Sequence, residues 1–185
     1  MLKARLVACL LALTLAVTPS LNPRPALAAT AAEINRDATT ALNQLYEKTP
    51  DAKKLAARAK AILIFPSVYK AGFMFGAQYG EGALRKGNKT VGYYNTVAAS
   101  YGLQAGAQAF GYALFFMTDS ALAYLDKSEG FEIGSGPSVV VLDEGMAKSM
   151  TSTTLTQDVY AVIFDQKGLM GGLGLQGSKI SKVAK

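Results

Sequence analysis

The sequence has no histidine and no tryptophan, and its one cysteine, Cys9, falls near the start of the 185 residues. Without imidazole or a later thiol, residues 29–185 cannot assemble a His-assisted nucleophile, a thiolate nucleophile or a zinc site of the usual nitrogen and sulfur ligands. Most hydrolase and metalloenzyme designs are excluded with them. Charge of one sign is also scarce: the formal net charge is +6 over the whole chain. Lys3, Arg5 and Arg24 supply three of those charges from a stretch that carries no acid, so residues 29–185 hold only +3. That excess is too mild to imply nucleic acid.

The first stretch has the pattern of an address rather than of a fold. Lys3 and Arg5 precede the apolar run from Leu6 to Val17, and Ala26-Leu27-Ala28 follows with small residues at both outer positions. This is the arrangement of a secretory signal peptide, with cleavage expected after Ala28. The run is shorter than the ~20 apolar residues of a membrane-spanning helix. "LVAC" at 6–9 resembles the box before a lipid-modified cysteine, but Cys9 lies before the apolar run has finished, which argues against a lipoprotein. Removal of 1–28 takes the only cysteine with it, so export to an oxidising periplasm raises no disulfide problem. Residues 29–185 are long enough for one domain with a sizeable core.

That domain divides into a helical front and a strand-rich body. Ile34, Ala38, Ala41, Leu42 and Leu45 recur at helical spacing, and Thr49-Pro50 opens a second helix over "DAKKLAARAKA" with Leu55, Ala59 and Ile62 on one face. "ILIF" before Pro66 reads as the first strand. From Phe73 the period is two, with strands expected over 72–86, 90–98, 103–117, 137–143, 158–165 and 168–180. "KGNK" at 86–89 and "QKG" at 166–168 are short enough for hairpins, and 119–128 reads as a short helix capped by Asp119. In 103–117 one face is small and apolar (Ala105, Ala107, Ala109, Gly111, Ala113), which fits the inside of a narrow, curved sheet. The expectation is an α+β fold: an antiparallel β-barrel-like core with about three helices on its surface.

Several motifs lose their chemistry in context. "GLGLQG" at 172–177 has the G-x-G-x-x-G spacing of a dinucleotide turn, but no following helix and no acidic residue about 20 positions on fit in "SKISKVAK". Together with "GAQYG" (76–80) and "GLQAG" (102–106), it repeats a Gly two residues before Gln, as strands do where a sheet bends tightly. Glu81, Asp119, Asp143, Glu144, Asp158 and Asp165 form no pair fixed by spacing and read as solvated carboxylates. Asp143-Glu144 lacks an EF-hand spacing, and "GSGP" at 134–137 lacks a P-loop lysine. No catalytic residue, cofactor or metal is assigned. The aromatics from Phe73 to Phe116 read mostly as core or barrel wall, a few facing an apolar ligand. Basic residues give the better signal: Lys53, Lys54, Arg58, Lys60, Lys70, Arg85, Lys86 and Lys89 would form a patch for anionic headgroups if folding gathers them. Solvated helix and turn lysines are the alternative.

"FPSVYKAGFMFGAQYGEGALR" (65–85), "YYNTVAASYGLQAGAQAFGYALFFMT" (93–118) and "DVYAVIFDQKGLMGGLGLQGSKIS" (158–181) resemble, in order, the SYLF domain family. The resemblance implies a β-barrel core with surface helices, no enzymatic activity, and binding of acidic lipid through basic and amphipathic segments. Two departures narrow what it carries. Tyr93-Tyr94 stand where many relatives have Trp, and no SH3-type or zinc-binding module accompanies the domain. Actin binding is therefore not carried over to an exported chain, and an anionic phospholipid replaces phosphoinositide as the expected partner. The expectation is a non-enzymatic, lipid-binding periplasmic domain at a membrane surface, the alternative being a structural or partner-binding envelope protein.

Overall fold

The computed structural model describes residues 28–127, 131–133, 135–143, 156–168 and 177–185. The leader up to Leu27, the glycine stretch up to Gln176 and Glu144 lie outside the described residues.

Helices α1 (Ala31–Lys48) and α2 (Pro50–Arg58) form where the spacing predicts them. α1 opens on a capping box: Thr30 Oγ1 accepts from the Glu33 N–H at 3.3 Å while the Glu33 carboxylate accepts from the Thr30 N–H at 2.8 Å. Such a cap contributes about 1 kcal/mol. α2 stops at Arg58, short of the predicted end, because Ala59 turns extended and the Lys60 N–H already bonds Phe116 O at 2.7 Å. Strand pairing has taken over from the helix.

The body is built on two long strands, β1 (Ala61–Lys86) and β2 (Lys89–Phe116), paired antiparallel and joined at Gly87-Asn88 as the 86–89 turn predicts. The sequence breaks each of them into shorter pieces, but the pairing runs through. Pro66, which has no N–H to give to a ladder, is accommodated in a bulge between Phe65 and Val68. β1 also doubles back on itself. A Cβ on Gly82 would sit 2.3 Å from Ile64 O, and one on Gly80 would sit 2.9 Å from Ser67 O. Only residues without a side chain let the two halves of β1 approach this closely.

Along its other edge β2 pairs twice. β6 (Lys179–Val183) lies against Tyr93–Val97, and β5 (Val159–Gly168) against Gln108–Phe116. β3 (Phe131–Glu132) adds to β6, and β4 (Val139–Leu142) adds parallel to β5. With α3 (Asp119–Lys127), the described residues give three helices and a mostly antiparallel six-stranded sheet curled into a barrel-like core, the expected α+β class. Two local expectations are corrected. β5 runs through 166–168, where a hairpin turn was expected. α3 is capped by Thr118, whose hydroxyl accepts from the Ala121 N–H at 3.3 Å, and Asp119 is its first helical residue.

Away from the middle of the β1–β2 ribbon, both faces of the sheet are covered. Phe65, Leu84, Tyr94, Phe110, Tyr112, Leu114, Phe116, Ile163 and Ile180 share one cluster with Leu122 and Leu125 of α3. Side chains from both ends of the sheet meet there, so this face is the inside of the curl. The opposite face, with Ile64, Ala83, Ala113, Phe115 and Val162, packs under Ile34, Ala38, Leu45, Ala52 and Leu55 of α1 and α2. At Ala113 the small-residue face of β2 therefore looks toward the helices, not inward as the sequence predicts, and Ala107 on the same face is exposed. Large side chains fill the curl, and alanines on both partners let the helices lie close against the sheet.

Candidate functional site

The midpoint of the β1–β2 ribbon is a projecting corner. At Gly72 and Gly76 the backbone pinches so tightly that a Cβ on Gly72 would lie 2.4 Å from Gly76 Cα. Met74 between them takes φ 62, a left-handed conformation that costs a non-glycine residue roughly 1–2 kcal/mol. The turn carries its aromatics outward: Phe73 is 75% exposed and Phe75 70%. Tyr69 and Tyr79 flank them, both exposed, and Tyr79 stands opposite the exposed Val97 of β2. The sequence reading places Phe73, Phe75 and Tyr79 among aromatics that are mostly core or barrel wall, with Tyr94, Phe110, Tyr112, Phe115 and Phe116, which are buried. Period two cannot separate the two groups. The distinguishing signal is the pair of glycines bracketing Phe-Met-Phe, which marks a turn rather than a strand interior.

Behind the corner lies a cleft of about 260 Å³, lined by Tyr69, Tyr79, Pro66, Ser67, Asp37 and Glu81 among others. Among its polar groups, Glu81 is held by hydrogen bonds on both carboxylate oxygens. Lys185 Nζ donates to Glu81 Oε1 at 2.7 Å, and the Ala29 N–H donates to Glu81 Oε2 at 2.9 Å. The paired side chains are 9% and 12% exposed for Lys185 and Glu81. Burial alone would raise the Glu81 carboxyl, but these two hydrogen bonds and the lysine charge outweigh it and hold its pKa below the ordinary value. Glu81 is therefore a closure between distant segments, not the solvated carboxylate expected from sequence.

The basic residues fall in three places. Lys53, Lys54 and Arg58 lie exposed on α2, with Lys54 paired to Asp51, and Lys60 follows at 3.4 Å from Asp119. Lys70 stands on β1 beside Tyr69 and opposite Gln108. Lys86 and Lys89 are exposed at the Gly87-Asn88 turn. Arg85, next to them, is committed to the fold: its guanidinium donates to Asn35 O at 2.9 Å and Thr39 Oγ1 at 2.6 Å, fastening α1 to the ribbon. Asn35 adds to the same junction through Tyr93 Oη at 2.8 Å and Thr90 Oγ1 at 2.6 Å.

Asp158 and Asp165 are engaged in contacts within the fold. Asp158 accepts from the Ser138 hydroxyl at 3.0 Å and from Thr118 Oγ1 at 3.1 Å, holding the starts of β4, β5 and α3 together. Hydrogen bonds from the Ser138 side chain and backbone, with Thr118, lower its pKa. Asp165 pairs with Lys167 and Lys48. Among the described residues no group of three acidic, histidine or cysteine side chains converges as a metal site would require, and no helix is long and apolar enough to cross a membrane.

Residues 97–185 match the family described as "Ysc84: Las17-binding protein actin regulator", a description that names a protein partner. A comparison with curated proteins returns no match. The matched region runs from Val97 of β2 to Lys185 and takes in α3, β3, β4, β5 and β6. Family match, motif order and curled sheet agree, and over residues 97–185 the chain is similar to the SYLF (Ysc84) family.

Proposed function

We propose that the chain is a non-catalytic domain of the cell envelope that contacts anionic phospholipid, with the corner of the β1–β2 ribbon entering the bilayer surface. The observation that carries this reading is the exposure of Phe73 and Phe75 at the apex of a tight turn, with Tyr69 and Tyr79 at its base. A contiguous exposed apolar cluster marks a contact site. Phenylalanine ahead of tyrosine also matches the order of a membrane interface, hydrocarbon first and headgroups behind. Lys70 can lay its stem along this surface and keep its ammonium among phosphates. Lys86 and Lys89, and the α2 group, add long-range attraction of about 1 kcal/mol for each that nears the surface. The leader-like residues 1–28 support export to the periplasm, where such a surface is available.

A second reading, that the same corner docks a protein, is favoured by the family description, which names a binding partner. Co-sedimentation separates the two. Residues 29–185 are expected to pellet with vesicles containing phosphatidylglycerol, less with phosphatidylcholine alone, and less again at high salt. Transferring two largely exposed phenylalanines is worth roughly 3 kcal/mol, so the Phe73→Ser/Phe75→Ser variant should bind about 100-fold more weakly. Equal binding to both vesicle types, or to neither, removes the lipid reading. A periplasmic complex that requires Phe73 and Phe75 without lipid establishes the second.

A further inference from the structure

Glu81 holds the chain at the position where removal of the leader would create a new terminus. Ala29 is the residue after Ala26-Leu27-Ala28, and its nitrogen lies 2.9 Å from Glu81 Oε2. Lys185 Nζ closes the arrangement from the other side, donating to Glu81 Oε1 and to Ala29 O, each at 2.7 Å. Each carboxylate oxygen thus takes one of these two donors, which come from residues 29 and 185, and the Tyr79 side chain adds a further hydrogen bond to the carboxylate. There is no slack between this contact and the fold, because Thr30 is already the cap of α1. Tyr79 and Asp37 border the same cleft.

We infer that the chain is cut between Ala28 and Ala29 and that Glu81 binds the freed α-ammonium, so that processing itself tightens the closure of α1 on β1. Before cleavage the donor at Ala29 is a neutral amide. Afterwards it is an ammonium with three donors, charged at neutral pH because an unperturbed α-amine titrates near ~7.8. Hydrogen bonds to charged groups are roughly twice as strong as neutral ones. The inference rests on reading 1–28 as a removable leader and not on membrane binding.

Two measurements test it. The full-length chain, expressed in a bacterial host that exports it, should be recovered with the intact mass of residues 29–185; any other start overturns the inference. The protein beginning at Ala29 is then compared with its Nα-acetylated form in urea at neutral pH. Acetylation keeps an N–H but removes the charge, so the folding equilibrium constant should fall about tenfold. In the Glu81→Gln background the same acetylation should have no effect. Equal stability of the free and acetylated proteins with Glu81 intact overturns the binding of the amine, whatever the fate of the Gln variant. Vesicle binding through Phe73 and Phe75 is read separately, so either proposal can fail while the other stands.

Discussion

Gly82→Ala tests the crossing that creates the exposed corner. The added methyl would lie 2.3 Å from Ile64 O and 2.7 Å from Phe65 Cδ1. Normal contact begins about 1 Å further out, and neither neighbour can yield: Ile64 and Phe65 are fully buried, one under the helices and the other inside the curl. The halves of β1 must separate, at the 1–3 kcal/mol typical of overpacking. Reduced freedom of the unfolded chain returns roughly 0.4–1 kcal/mol, leaving a net loss of about 1–2 kcal/mol. Gly87→Ala is the control. Nothing lies within 4 Å of its Cβ position, so it suffers only the left-handed φ of 57°. Urea denaturation followed by near-ultraviolet circular dichroism reads both. At Gly92 the nearest atom is Tyr94 Cε2 at 3.1 Å, a much smaller shortfall than at Gly82, so Gly92→Ala should cost less than Gly82→Ala. If Gly82→Ala is no less stable than Gly92→Ala, the two halves of β1 do not approach each other as described.

Arg85→Ala should destabilise the protein by roughly 1–2 kcal/mol through loss of its bonds to Asn35 and Thr39. A variant of unchanged urea midpoint but weakened vesicle binding would return Arg85 to the lipid-facing set. Glu81 gives a pH signature of known sign. Its folded pKa is depressed, so its contribution is complete above the unfolded value of ~4.3 and is lost as pH falls through the folded one. Denaturation midpoints measured from pH 6 down to about 2 should fall more steeply for the wild type than for Glu81→Gln. Parallel curves would refute the pairing with Lys185.

What the sequence made legible is what short-range periodicity encodes. Ile34 through Leu45 and the Thr49-Pro50 junction fix two helices because 3.6-residue spacing and a first-turn proline depend only on neighbours. Alternation likewise marks the strands and the hairpin at Gly87-Asn88. It does not say which of two apolar faces is inside. Residues 111–116 are all buried, so either face of β2 could have lined the curl. Size decides it only once the helices are placed: Ala113 suits a helix contact, and Tyr112 and Phe116 have volume to fill an interior.

The same limit explains the basic residues and the aromatics. Charge is read as surface and aromatic as core, yet Arg85 is spent on a helix junction while Phe73 and Phe75 face outward. Both reversals follow from the doubled ribbon. Crossing at Gly80 and Gly82 brings the second half of β1 under α1, which puts Arg85 within reach of Asn35. The residues between the two halves form the corner, where Phe73 and Phe75 stay largely exposed. Glycines at 72, 76, 80 and 82 thus account both for the half-buried Arg85 at the helix junction and for the exposed aromatics of the corner. A lipid surface or a partner protein would meet this domain first through side chains that the fold has pushed out, with the lysines of α2 and the hairpin turn acting at longer range.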